Sequence, residues 1–251
     1  MRQTLLKQIQ NSKVQGNLPI IYHLSFIISY LSFLISYLIV SAAPAVAQIQ
    51  MRSVFAAMPD SVLPMVTKNN RLDCIDFIEN NMEARVRNKV DEYVVLEALT
   101  GDYARFRTSA VAVMELKLLP TSDSTSVLCV VTTAESGEKG TERCVMDSNI
   151  RFYDTDWKPL SLESATASVM QQRDGDAFFA EAAPDSLQTA ADAAKRSLAS
   201  FHPVLMTLAP EDFTLTLHFQ TGYLSIEERR ALQHCLRPVT LRWNGQSIVA
   251  E

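Results

Sequence analysis

EYVVLEALTGDYARFRTSAVAVMELKLLPTSDSTSVLCVVTTA, residues 92–134, carries the clearest structural pattern in the chain. It contains four short segments rich in β-branched and aromatic residues, and the turn sequences TGD and PTSDST interrupt the run. Segments of this composition and length are typical of β-strands joined by short connections. The stretch therefore predicts four consecutive strands of an antiparallel meander.

Charged and apolar residues alternate in the third of these segments. Glu115 and Lys117 alternate there with Met114, Leu116 and Leu118. Successive side chains of a strand point to opposite faces, so this alternation places both charges on one face. We expect that face of the sheet to be in contact with water.

Helical patterns occur on both sides of the meander. In the first, Cys74, Ile75 and Ile78 recur at helical spacing and form one buried face. In the second, an apolar stripe runs through residues 187–201. Both segments predict amphipathic helices that pack on the sheet.

The C-terminal part of the chain predicts further strands. In DFTLTLHF, residues 212–219, apolar and polar residues alternate, as they do in a half-buried strand. A capping box of Ser225 and Glu228 then begins a helix. Asn244 and Gly245 predict a hairpin, because both can take the positive φ that a type I′ turn requires.

These elements predict an α+β fold, in which antiparallel sheet is covered on one face by amphipathic helices. Residues 161–183 have weak periodicity and are interpreted as a connection. The segments on either side, 48–160 and 184–251, each offer a helix, strands and a late strand with a tryptophan. An arrangement as two similar lobes therefore stays open, and so does a duplication, although the residues of the two segments barely match.

The first 47 residues have the layout of an export signal. An apolar run, residues 18–40, follows a segment with three basic and no acidic residues. Small residues end it, with Ala45 and Ala47 in the pattern that a signal peptidase requires. We predict cleavage after Ala47 and a soluble exported domain, residues 48–251, in the periplasm or cell envelope. The alternative is an N-terminal membrane anchor, since the run is long enough to span a bilayer.

The charge of the predicted mature domain excludes two classes of partner. After cleavage, 20 of the 23 basic residues would remain beside 28 acidic ones, a net charge of −8. Such a surface does not suit nucleic acid or anionic lipid. We expect the chain to contact the membrane only transiently, through its signal segment.

Four cysteines lie in the predicted exported domain, where disulfides are permitted. If a hairpin turns at residues 136–137, Cys129 faces Cys144 directly across two strands. This register predicts a Cys129–Cys144 disulfide, and two small buried thiols are the alternative. Cys74 and Cys235 lie on apolar helix faces and are interpreted as core residues.

The segment FYDTDW, residues 152–157, is the strongest candidate for a functional site. On an extended strand Asp154 and Asp156 share one face and Trp157 lies on the other, so the two carboxylates are neighbours. Two aspartates supply only part of the six to eight oxygens that Ca²⁺ takes, so no metal site is predicted. We interpret the segment as a strand end, with ligand binding by Asp154, Asp156 and Trp157 as the alternative.

No catalytic motif occurs in the sequence. The predicted mature domain has three histidines, His202, His218 and His234, and none lies in a metalloprotease or hydrolase signature. The scattered glycines form no phosphate-binding loop. We therefore predict no catalytic residue and no cofactor, while a triad assembled from distant residues stays open.

Three stretches resemble a known family. They are residues 58–82, MPDSVLPMVTKNNRLDCIDFIENNM, then IRFYDTDWKPL at 150–160, and LSIEERRAL followed by LRWNG near the C terminus. They are similar to the exported family catalogued as domain of unknown function 3256, found in gut-type Bacteroidetes. The resemblance implies export and one shared architecture over nearly all of the mature chain. It implies no activity, because the family has no established ligand or catalytic residue.

These features favour a non-enzymatic binding or interaction protein of the envelope, whose partner is a protein, a glycan or a small ligand. The alternative is a hydrolase that acts on envelope material or glycan. A deep pocket where histidine and carboxylates converge would favour the hydrolase. A shallow groove or an exposed sheet edge would favour binding.

Overall fold

Seven antiparallel strands, adjacent in space in the same order as in the sequence, form one sheet in the computed structural model of the protein. They are β1 (Arg85–Arg87), β2 (Tyr93–Leu99), β3 (Tyr103–Ser109), β4 (Ala112–Pro120), β5 (Ser126–Ser136), β6 (Val145–Tyr153) and β7 (Pro159–Leu160). Strands β2 to β5 correspond to the four segments of residues 92–134. The predicted meander is therefore confirmed.

A second antiparallel sheet contains four strands in the spatial order β11-β10-β9-β8. They are β8 (Val204–Leu208), β9 (Thr214–Phe219), β10 (Val239–Trp243) and β11 (Ile248–Ala250). The half-buried strand predicted from alternating residues is β9. Asn244 and Gly245 lie in the predicted hairpin between β10 and β11. Of these two residues, Gly245 alone has a positive φ, so the turn is not type I′.

The structure describes residues 29–31, 49–123, 125–174, 176–179, 192, 202–233 and 235–250. The chain divides into two compact units, residues 1–48 and 49–251, and both sheets belong to the second unit. The predicted signal segment and the predicted helix over 187–201 lie almost wholly outside the described residues, as does His234.

Helices cover the first sheet from both sides. The α-helices described are α1 (Met51–Ala56), α2 (Lys68–Glu79), α3 (Glu163–Asp174) and α4 (Ile226–Leu232). Helices α1 and α2 pack on one face, where Phe55 and Phe106 meet edge to face with ring centroids 5.2 Å apart. The second sheet packs on the other face, together with Ala165 and Val169 of α3. No helix among the described residues is long and apolar enough to cross a membrane.

The observed layers correct part of the predicted fold. The protein is a strand-rich mixture of helix and antiparallel sheet, but its helices do not all lie on one face. Residues 161–183, predicted as a connection, contain α3. The two-lobe arrangement is not confirmed, because both predicted lobes contribute to one apolar core between the sheets. Within that core region, the indole N–H of Trp243 in β10 donates to the Pro120 carbonyl of β4 at 2.6 Å.

The charged face of β4 is buried, so the prediction that it contacts water is wrong. Glu115 is 3% exposed and Lys117 is 0% exposed, because the second sheet covers the face that carries them. Lys117 Nζ lies 2.9 Å from Asp102 Oδ2 and donates to the Pro210 carbonyl, in the turn between β8 and β9, at 2.7 Å. Buried charges need such partners, since desolvation of an unpaired ion is costly.

The predicted Cys129–Cys144 disulfide is wrong, because the register of the β5–β6 hairpin differs from the predicted one. Cys129 lies opposite Phe152, and residues 137–144 form a longer loop than the predicted turn. The seven residues from Cys129 to the end of β5 span about 23 Å, well beyond disulfide reach. The Cys144 thiol instead donates to Glu135 Oε1 at 3.1 Å, and all four cysteines are free.

Cys74 and Cys235 are core residues, as predicted. Their exposed fractions are 0% and 1%. Burial raises the pKa of the Cys74 thiol to about 12, so this group stays protonated at neutral pH. A buried thiol with so high a pKa behaves as a small apolar side chain and not as a nucleophile.

Candidate functional site

The DTDW segment forms the turn between β6 and β7. Strand β6 ends at Tyr153, and Asp154 Oδ1 accepts hydrogen bonds from the backbone N–H groups of Asp156 and Lys158, both at 2.9 Å. The Asp154 N–H donates to the Lys158 carbonyl at 2.9 Å. An aspartate that bonds its own turn backbone in this way stabilises the reversal of the chain. The interpretation of the segment as a strand end agrees with this geometry.

An extended strand would place the two aspartates side by side on one face, but the structure does not place them so. Both lie beyond the end of β6, and the Asp156 side chain is 79% exposed, with its Oδ2 3.9 Å from Lys158 Nζ. No group of three or more histidine, cysteine, aspartate or glutamate side chains that could hold a metal occurs among the described residues. Ligand binding by Asp154 and Asp156 stays a prediction.

Trp157 anchors the same turn to the first helical layer. Its side chain is buried, and its indole N–H donates to the Val54 carbonyl of α1 at 2.8 Å. Its ring lies 5.4 Å from that of Tyr153. The backbone φ of Trp157 is +66°, an unusual value for a bulky residue that this packing and hydrogen bond hold in place. Within the structure its role is to fix the turn.

An open groove, which we call the edge groove, lies between strand β6, strand β7 and helix α3. It has a volume of about 650 Å³, and its walls include Phe152, Leu160, Leu162, Thr166 and Ala167. Arg151 and Glu163 add one charge of each sign. The groove exists because β7 pairs with only two residues of β6 before the chain leaves the sheet and enters α3.

The backbone of Ile150 faces this groove. In an antiparallel strand the N–H and C=O groups of alternate residues point to the same side. The Asp154 N–H donates across the turn to the Lys158 carbonyl, and the Ser148 carbonyl accepts from Arg173 Nη1 at 2.7 Å, so both groups point away from β5. Ile150 is separated from each of them by an even number of positions, so its N–H and C=O also point away from β5. In the described part of the chain, nothing pairs with its outward N–H and C=O.

A second cavity, which we call the charged cavity, lies between the first sheet and strand β8. It has a volume of about 220 Å³. Its charged lining residues are Arg105, Arg107, Glu115, Glu135 and Lys139. Leu205 and Thr207 of β8 close its other side. These charges come from β3, β4, β5 and the loop that follows β5, which the meander places side by side.

Ion pairs order the inner end of the charged cavity. Glu97 bridges two arginines, with Oε2 2.8 Å from Arg105 Nε and Oε1 2.7 Å from Arg107 Nε. Glu115 Oε1 lies 3.0 Å from Arg105 Nη1 and accepts from the Tyr103 hydroxyl at 2.7 Å. Burial and the hydrogen bond to Glu115 raise the pKa of Tyr103, so its phenol stays protonated and donates.

A second pair lies towards the mouth of the charged cavity. Glu135 accepts from the Cys144 thiol, and its other oxygen lies 3.5 Å from Lys139 Nζ. The thiol hydrogen bond, supported by Lys139, lowers the pKa of Glu135, so this carboxylate is charged at neutral pH. The Lys139 side chain is 60% exposed, which places this end of the cavity next to solvent.

The residues that line the two cavities differ from those predicted as the site. Ile150, Arg107 and Glu115 are not among the sequence-based candidates. Charged residues within otherwise apolar strands are the signal that marks Arg107 and Glu115. No side-chain signal marks Ile150, because its relevant groups belong to the backbone. Among the described histidines, His202 and His218 line neither cavity.

These observations define a strand-rich α+β protein with an open groove at a sheet edge and a charged cavity between two sheets. The chain belongs to the family described as protein of unknown function (DUF3256), whose model matches residues 43–248. The resemblance found in the sequence is therefore confirmed. The structure of a domain of an uncharacterized protein from Porphyromonas gingivalis W83 is similar, with 28% identity and a TM-score of 0.61. The match covers 80% of this chain and 97% of that one. No curated protein matches the chain.

The double substitution of Asp154 and Asp156 by asparagine should change the free energy of unfolding by less than about 1 kcal/mol. The reason is that the asparagine Oδ1 still accepts the turn hydrogen bonds. Asp154→Ala should lower it by about 1 kcal/mol, whereas Asp156→Ala, as the exposed control, should have no measurable effect. Urea unfolding measures these differences. Calorimetric titration with Ca²⁺ that shows tight binding by the wild type, and none by the double variant, would contradict the structural role.

Proposed function

We propose that the protein is an exported, non-enzymatic binding protein that holds an extended peptide segment of an envelope partner in the edge groove. The observation that carries the proposal is the unpaired N–H and C=O of Ile150 at the wall of that groove, within the described part of the chain. A free backbone donor and acceptor at the wall of an open groove are what a peptide needs in order to add to a sheet. Backbone hydrogen bonds then supply affinity that does not depend on the sequence of the peptide.

The walls of the edge groove support selection of particular side chains. Phe152, Leu160 and Leu162 offer apolar surface next to the open backbone pair. The volume of about 650 Å³ lies within the range of typical ligand pockets, which hold mostly apolar contacts and a few polar groups. Arg151 and Glu163 supply charges of both signs for the flanks of a bound segment. A short peptide with apolar side chains is therefore the favoured ligand.

The alternative function is a hydrolase that acts on envelope material or glycan. A glycosidase of the usual type needs two carboxyl groups on either side of the bond that it cleaves. Glu163 is the one carboxylate among the described residues that line the edge groove, and no described histidine accompanies it. The open shape and the unpaired backbone of Ile150 in the described part of the chain support binding over hydrolysis.

Export is the second part of the proposal. It is supported by the apolar run of residues 18–40, the preceding basic residues and the small residues at Ala45 and Ala47. The family match begins at residue 43 and ends at residue 248, so it covers nearly all of the predicted mature domain and little of the predicted signal segment.

Cell fractionation followed by N-terminal sequencing tests export. We expect a soluble envelope species that begins at Gln48, because the peptidase accepts the small residues at Ala45 and Ala47. Ala45→Leu should block processing, whereas Ala42→Leu, outside the recognised pair, should leave it unchanged. Recovery of the uncut chain in the membrane fraction of the wild type would reject cleavage and favour the anchor.

Selection from a library of random peptides displayed on phage tests the edge groove. We expect the selected peptides to be extended and apolar, and their calorimetric affinity to fall at least about tenfold in Ala167→Trp, because the indole fills the groove. Ala167 is exposed on α3, so this change leaves the core intact. Ser164→Trp is the matched control, since Ser164 is exposed on the same helix but does not line the groove.

Two results would contradict a peptide-binding groove. One is equal affinity of the selected peptides for Ala167→Trp and the wild type. The other is a bound state in which the NMR signal of the Ile150 amide does not move, because strand addition must form a hydrogen bond with that group or its carbonyl.

A further inference from the structure

The charged cavity contains charged groups whose hydrogen-bonding capacity is not used. Within the described residues, Glu115 Oε1 takes both the Arg105 and the Tyr103 contact, and no donor contacts Oε2. The Glu115 side chain is only 4% exposed. Arg107 donates to Glu97 through Nε, and its charge also acts on Glu135. Its terminal nitrogens make no hydrogen bond in the described part of the chain. The Glu115 carboxylate and the Arg107 guanidinium therefore line the same small space, and each has hydrogen-bonding capacity left over.

We propose that the charged cavity is a binding site for a small zwitterion of the α-amino acid class. Glu115 Oε2 accepts from the ammonium group of the ligand, and the terminal nitrogens of Arg107 bind its carboxylate. Both contacts are charge-assisted, which makes them the strongest hydrogen bonds that side chains offer. This site is separate from the edge groove and does not depend on the function proposed for it.

The balance of charge selects a zwitterion over a simple anion or cation. Three basic side chains, Arg105, Arg107 and Lys139, line the cavity. Three carboxylates contact them: Glu97, Glu115 and Glu135. An added ligand of single charge would leave one excess charge in a partly buried site, and such a charge is costly. A zwitterion adds no net charge to the site.

The positions of Arg107 and Glu115, the two residues proposed to bind the charged groups of the ligand, fit a short molecule. Arg105 lies directly opposite Glu115 in the β3–β4 ladder, and Arg107 lies opposite Val113, so Arg107 and Glu115 are diagonal neighbours. Diagonal Cα atoms in antiparallel strands are about 7–8 Å apart, and the gap between the charged ends is the space that the ligand fills. A volume of about 220 Å³ would hold about seven waters at about 30 Å³ each, or a molecule with a similar number of heavy atoms.

The partners of Glu115 differ from those of Lys117, which forms an ordinary structural ion pair. Lys117, two residues further along the same strand, has its charge satisfied by Asp102 and the Pro210 carbonyl. Glu115 is similarly buried, but it lines a cavity, and Lys139, which lines the same cavity, is 60% exposed. The Thr207 hydroxyl on β8, also without a partner in the described part, adds a polar group for the side chain of a ligand.

Isothermal titration of the wild type with each of the standard L-amino acids tests the site, with propionate and ethylamine as ligands that keep only one of the two charges. We expect at least one amino acid to bind with a Kd on the order of 0.1–1 mM, and both single-charge analogues to bind at least about tenfold more weakly. Glu115→Gln and Arg107→Gln should each weaken amino acid binding at least about tenfold. Arg87→Gln is the matched control, because Arg87 is 53% exposed and far from the cavity in sequence and sheet order.

Three results would overturn the proposal. They are the absence of binding by every amino acid at about 10 mM, binding of propionate or ethylamine as tight as that of the amino acid, and wild-type affinity in either folded variant. If Glu115→Gln does not fold, Arg107→Gln decides the test alone, since Arg107 is 28% exposed and its replacement does not open the core.

Discussion

The buried charge of Lys117 constrains how the two sheets pack, because a buried ammonium group must keep polar partners. This residue lies on the central strand β4. Its ammonium group reaches Asp102 in the β2–β3 turn of the first sheet and the Pro210 carbonyl in the β8–β9 turn of the second. A lysine that is fully buried must keep such partners, so the turn between β8 and β9 has to lie directly above it. The Trp243–Pro120 hydrogen bond and the apolar residues of both sheets then complete the contact.

Both candidate sites lie at the margins of the region where the two sheets pack. The second sheet covers one part of the inner face of the first sheet with apolar side chains, and beyond that part the row of Arg105, Arg107 and Glu115 lines the charged cavity. At the other margin, β7 is too short to cover β6, and the edge groove opens beside Ile150. The apolar interior stabilises the fold, and the groups that can bind ligands lie at the edges of that interior.

The sequence patterns predict the strands well because alternation and turn residues are local properties. The meander, β9 and the capping box at Ser225 are all found in the structure. The β5–β6 register is not predicted, because the strands extend to Ser136 and Val145 and the loop between them is longer than a tight turn. Burial of Glu115 and Lys117 is missed for a different reason: alternation separates two faces but does not reveal that a distant sheet covers the polar one. The open backbone of Ile150 has no side-chain signature at all.

Native-state amide hydrogen exchange tests the shared packing of the two sheets most directly. The amides of Val131 in β5 and Leu217 in β9 lie in central strands of the first and second sheet. If one buried interface holds both sheets together, these two amides should exchange only through global unfolding and with the same opening free energy. Exchange of Leu217 roughly 100-fold faster than that of Val131 would show that the second sheet opens by itself, and would contradict the dependence of both sheets on one interface.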